Sequence, residues 1–134
     1  MFMTKKSDYA VRCVLFLSRE PGRTVGAAEI ADAVLAPKTF LAKVLQRLAK
    51  KGIVESVKGA AGGFRLAKAP SQISLLDVIE AVQGPSTLNA CAVDRAACSL
   101  TGNCAVHPVW VELRRDIEKH LAGEDFARLA GKGS

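Results

Sequence analysis

Two short amphipathic segments only four residues apart, with a glycine-rich run close behind them, limit this chain to few folds. Ala27, Ile30, Ala31 and Val34 fall at i, i+3, i+4 and i+7, and Leu41, Val44, Leu45 and Leu48 repeat that spacing. Each segment is therefore predicted as a helix with one apolar stripe, the first opened near Gly26. Leu35, Ala36, Pro37 and Lys38 lie between them; Pro37 suits the first turn of the second helix and Gly52 its C′ position. Helices joined by so short a turn make a helix-turn-helix, whose second helix buries one face and leaves the other able to enter a DNA major groove. The run from Ile53 to Lys58, the glycines at 59, 62 and 63, and Phe64, Arg65 and Leu66 then predict a β-hairpin. A hairpin in that position is a wing, with Lys58 and Arg65 near its tip and a minor groove within reach. The glycine run has no Gly-Lys-Ser/Thr ending, which argues against a nucleotide-phosphate loop.

Charge separates along the chain. Residues 1–70 carry 13 basic and 5 acidic side chains, while residues 71–134 carry 6 and 8, and the whole chain has a formal charge of +6. A basic half of this size suits a polyanionic partner, because lysines and arginines that neutralise phosphates release counterions. The outward face of the second helix reads Lys38, Thr39, Ala42, Lys43, Gln46, Arg47 and Lys50, with no acidic residue from Ala33 to Lys51. A merely solvated face usually mixes signs, so this one favours nucleic acid. Lys38, Thr39 and Lys43 are the nearest candidates for base edges or phosphates, with Gln46 and Arg47 beside them.

Outside this unit, Ser7 precedes a helical stretch in which Tyr9, Cys13, Phe16 and Leu17 form one stripe. Cys13 on that stripe reads as a small core hydrophobe. Ser74 and Asp77 resemble a capping box, and Ile73 and Val78 a hydrophobic staple, for a helix from Leu75 to about Val82. A longer helix is expected from about Pro108 to Ala122, with Trp110, Leu113, Ile117 and His120 or Leu121 along a seam suited to pairing two chains. Residues 124–129 are expected to add one helical turn. The fold class is thus mainly α with a small β-hairpin: a winged helix-turn-helix over 1–70, then a loop (86–107) and dimerisation helices over 71–134.

That loop holds Cys91, Cys98 and Cys104 followed by His107, a Cys-x6-Cys-x5-Cys-x2-His pattern. Close thiolates repel one another unless a metal cation compensates, and thiolates suit iron-sulfur clusters or zinc. Zinc sites favour tighter pairs of cysteines, so the wide spacing leans towards a cluster, with structural zinc and a thiol redox switch as alternatives. No apolar run approaches the roughly 18–20 residues that span a bilayer, and Met1 to Lys6 lacks a signal-like core. A cytoplasmic protein is expected. With only His107 and His120 as histidines, no general-base constellation is legible, and an enzyme is not expected.

The chain resembles the Rrf2 family of bacterial winged-helix transcription regulators, with its IscR-like and NsrR-like iron-sulfur branches. The resemblance rests on Asp8 to Arg12, Ile30 to Ala33 with Phe40 and Leu41, Val57 to Leu66, Ile73 to Ile79, and the cysteine loop. It implies a homodimer that binds a double-stranded DNA operator, acts as a repressor, and senses cluster, redox or nitric-oxide status through a cluster on Cys91, Cys98 and Cys104. It also implies two candidates for the fourth ligand. His107 would match the branch holding a [2Fe-2S] cluster with three cysteines and one histidine. Asp8 supplied by a partner subunit would match the [4Fe-4S] branch. His107 and [2Fe-2S] are favoured, because a ligand within the same loop needs no geometry between subunits. The recognition helix carries Ala42 where the IscR-like branch has a glutamate, so that branch's target sequence does not transfer. A zinc-stabilised or cluster-free regulator, controlled by a protein partner or by thiol oxidation, is the alternative.

Overall fold

The computed structural model describes residues 3–85, 96 and 102–132. Helix α1 (Lys5–Ser18) is capped by Thr4, whose backbone is extended and whose hydroxyl oxygen accepts the Ser7 N–H at 3.1 Å. The expected start at Ser7 is therefore three residues late. Both residues have cap chemistry, and Thr4 takes the role because Ser7 is fully buried inside the first turn. The buried stripe consists of Ser7, Ala10, Cys13, Val14, Leu17 and Ser18, while Tyr9 and Phe16 flank it half-buried. A hydropathy pattern cannot count the serines as core. Ser18 is accepted there because its hydroxyl donates to the Val14 carbonyl at 2.6 Å.

Helices α2 (Ala27–Val34) and α3 (Lys38–Lys50) bury the expected apolar stripes, Ile30, Ala31 and Val34 on one and Leu41, Val44, Leu45 and Leu48 on the other. Pro37 is the N-cap of α3 rather than its first residue, and its carbonyl accepts the Leu41 N–H at 2.9 Å. Leu35 ends α2 in the left-handed region (φ 57°) and is 83% exposed. Helix α3 closes in a Schellman motif. Gly52, at φ 76°, donates to Ala49 and Ile53 donates to Leu48, each at 3.0 Å.

Strands β1 (Val54–Val57) and β2 (Gly63–Leu66) form the hairpin, with Val54 opposite Leu66 and Val57 opposite Gly63. Phe64 and Val25 exchange backbone hydrogen bonds of 2.8 and 2.9 Å, which fastens the wing to the segment before α2. Gly63 is required by that approach, because a Cβ there would overlap the Val25 carbonyl. Helix-turn-helix and hairpin together are the expected winged helix.

A short 3-10 turn (Pro70–Gln72) leads to α4 (Leu75–Gln83). Its capping box is present in both directions: the Ser74 hydroxyl oxygen accepts the Asp77 N–H at 3.1 Å, and the Asp77 carboxylate accepts the Ser74 N–H at 3.0 Å. Ile73 and Val78, the expected staple, are fully buried. Helix α5 (His107–Ala122) starts one residue earlier than expected and packs on α4. The end of the chain forms α6 (Phe126–Lys132), longer than the single turn anticipated. Phe126 is completely buried; its N–H donates to the Ile73 carbonyl at 3.0 Å, and the Leu75 N–H donates to the Glu124 carbonyl at 2.9 Å. Helix α1 packs against α2, α3, α4 and α6, so residues from both ends of the chain share one core.

Candidate nucleic-acid interface and ligand loop

Burying the leucine stripe of α3 turns the opposite face outward by helical period alone. Lys38, Thr39, Lys43, Gln46, Arg47 and Lys50 are all exposed on it, and no acidic residue interrupts them. Of the outward residues, only Ala42 is partly covered. Arg47 is less free than its exposure suggests: its Nε donates to the Ala81 carbonyl on α4 at 3.1 Å, which holds the guanidinium against a neighbouring helix. Lys43 and Arg47, one turn apart on α3, face Lys6 of α1 across a cleft of about 230 Å3 whose apolar wall is Val44 and Val82. Sequence periodicity gave no sign of Lys6, since its relevance depends on how α1 crosses α3.

On the wing, Lys58 is exposed just beyond β1. Arg65 sits directly opposite Glu55, with its Nε 2.6 Å from the carboxylate. Both partners are well exposed, so the pair is worth little in stability but offsets part of the charge that Arg65 brings to the wing. The hairpin register, which no local sequence pattern spells out, creates this contact.

In the candidate ligand loop, Cys91 and Cys98 lie outside the described residues. Cys104 is a half-buried free thiol. His107 is the first residue of α5 and 7% exposed, and its backbone N–H points to the Cys104 carbonyl at 3.3 Å. Cys104 and His107 therefore stand at the two ends of a single turn. Among the described residues, no three potential ligands come together. Asp8, the other candidate, is engaged elsewhere: Arg12 Nη2 lies 2.8 Å from its carboxylate, Arg12 Nη1 donates to the Val34 carbonyl at 3.2 Å, and the guanidinium sits 5.6 Å from the centre of the Tyr9 ring. Cys13 is fully buried, and burial pushes its thiol pKa up to about 12, as a packing residue requires.

The matching family model, Rrf2, described as an iron-dependent transcriptional regulator, spans residues 3–132. The chain belongs to the Rrf2 family. Its relatives include a protein of Aquifex aeolicus classed among HTH-type transcriptional regulators, 38% identical over 131 residues, covering 96% of this chain and 91% of that one. The regulator NsrR of Bacillus licheniformis is 33% identical over 111 residues, covering 81% and 78%. Among solved structures, IscR of T. potens superposes with a TM-score of 0.77 at 25% identity, over 100% of this chain and 89% of that chain. CymR, the global cysteine regulator of B. subtilis, shares the fold with a TM-score of 0.82 at 21% identity, over 100% and 99%. This Rrf2-family chain is thus a winged-helix transcriptional regulator of a DNA-binding family, and its relatives are regulators, not enzymes. No helix among its described residues is long and apolar enough to cross a membrane.

Proposed function

We propose that this Rrf2-family regulator is a homodimeric repressor whose operator affinity depends on an iron-sulfur cluster held by Cys91, Cys98, Cys104 and His107. In this reading residues 1–70 read DNA through Lys38, Thr39, Lys43, Gln46 and Arg47, with Lys58 and Arg65 on the wing, and residues 71–134 hold the ligand loop and pair the subunits. The observation that carries the reading is the placing of Cys104 and a nearly buried His107 one turn apart at the start of α5, joined by a backbone hydrogen bond. Sulfur and imidazole donors suit an iron-sulfur centre of the [2Fe-2S] type, which when bound supplies a redox-active and gas-reactive group. Asp8 is the weaker candidate, because using it means breaking its pair with Arg12.

These side chains sit where α5 begins, so whatever fixes Cys104 and His107 also fixes the start of that helix. Trp110, Leu113, Ile117 and Leu121 remain only half-buried along it, and Val109 is 53% exposed, an apolar face suited to a second copy. Movement of α5 in a dimer would change the spacing of two α3 helices, and half-site fit depends on that spacing.

Anaerobic isolation tests the cluster first. Visible absorption with about two irons and two sulfides per chain is expected, altered in His107→Ala and unchanged in Asp8→Asn. Zinc without sulfide sinks the cluster reading, and the opposite pattern in the two variants assigns Asp8 instead. The sensory role is then tested on a duplex selected by the protein from a random-sequence pool. Equal affinity of the loaded and metal-free dimers removes that role.

A further inference from the structure

We propose that the cleft between α1, α3 and α4 is a phosphate seat in which Lys6, Lys43 and Arg47 together hold one backbone phosphate of the bound duplex. The inference rests on the DNA-binding reading above and adds α1 to the contact surface. Three cations line the cleft without a carboxylate among the lining residues. The nearest acid along α1, Asp8, already pairs with Arg12. The ion pairs among the described residues engage none of Lys6, Lys43 and Arg47. Like charges gathered this way repel, and an anion between them relieves that repulsion.

The site is also pre-shaped. The Arg47 guanidinium is oriented by its Nε bond to the Ala81 carbonyl, which leaves its terminal nitrogens for another acceptor. Lys6 is placed by the start of α1, where the Thr4 N–H donates to the Gln83 side-chain oxygen at 3.2 Å and ties α1 to the end of α4. Val44 and Val82 supply an apolar wall that strengthens the field of the three cations. A volume of about 230 Å3 has room for a phosphate group with some of its water. Lys43 and Arg47 belong to the outward face of α3, so a helix lying in the major groove brings this cleft to the phosphates bordering that groove. The same chemistry would take free phosphate, and the experiment separates the two sources.

Lys6→Gln, Lys43→Gln and the double variant are compared with wild type on the pool-selected duplex and on a scrambled duplex of equal length, across a salt series. Lys6→Gln is expected to weaken both complexes about three- to tenfold at roughly 100 mM salt, leaving the preference between them unchanged. The double variant is expected to lose about one unit of salt slope in total, since both lysines serve one phosphate. A loss of about two units overturns the shared seat. Unchanged affinity and slope in Lys6→Gln, with wild-type binding intact, overturns the inference alone, whereas a wild type that binds no duplex overturns the reading beneath it. Calorimetry with inorganic phosphate covers the other source: phosphate binding lost in Lys6→Gln while DNA affinity stays unchanged overturns the assignment to DNA.

Discussion

Cys13 and Cys104 carry the same side chain and are set apart by environment. Cys13 is sealed in the core with its pKa pushed up to about 12, while Cys104 is half-buried beside the start of α5. Folded, metal-free protein treated with iodoacetamide near pH 8 should therefore be alkylated at Cys104 and spared at Cys13, with Cys13 reacting only after unfolding. Peptide mass spectrometry reads this directly, and labelling of Cys13 at the rate of Cys104 would contradict its burial. The raised pKa also sets a sign for stability. Folded Cys13 keeps its proton at pH values where the unfolded thiol, with an ordinary value of 9.0, has lost it. Its contribution is full below about pH 9 and declines as pH rises towards 12. At this scale the sequence identified Cys13 as core from its helical position alone, but it could not show that Arg12 occupies Asp8 or that Glu55 occupies Arg65, because both statements need side-chain placement.

Among elements, α2, α3 and the wing were the most legible. Leucine spacing, Gly52 and the glycines of the hairpin each encode a local geometry: an apolar stripe, a Schellman end and a close backbone approach. The cap of α1 is not legible in the sequence, because Thr4 and Ser7 have the same capping chemistry and only burial decides between them. The contact of α4 with α5 was not legible at all. There Glu80 of α4 is half-buried, and its pKa is raised chiefly by that burial and then by Glu118 of α5, with Asp77 adding to the rise and Arg114 opposing it. Glu118 itself is held by Arg114 at 2.7 Å. A carboxyl with a raised folded pKa stabilises the fold while protonated, and that contribution is lost as pH rises through the folded value. Glu80→Gln should therefore melt higher than wild type at pH 7, with the gap closing as the pH is lowered through the carboxylate range. Thermal melts at several pH values check this; a gap of constant size at all pH values would mean that the substituted amide acts by packing rather than charge.

At the scale of the molecule, the division of charge between the two halves does not divide the core. Phe126, near the C-terminal end, is the largest fully buried side chain among the described residues, and it is bonded through its backbone to Ile73 in the middle of the chain. Phe126→Ala should cost about 3–5 kcal/mol, by loss of burial and the cavity left behind. Chemical denaturation of the purified protein would measure it. A loss below about 1 kcal/mol would show that α6 frays from the core, since surface substitutions stay within that range. The outward basic face of α3, the wing and the burial of Cys13 were determined by the sequence itself, because periodicity and glycine placement act over a few neighbouring residues. The docking of α6 into the core, the meeting of Lys6 with Lys43 and Arg47, and the α4 to α5 carboxyl pair were decided only by the tertiary structure. Each joins residues distant in the chain, and such contacts follow from how whole helices pack rather than from any local pattern.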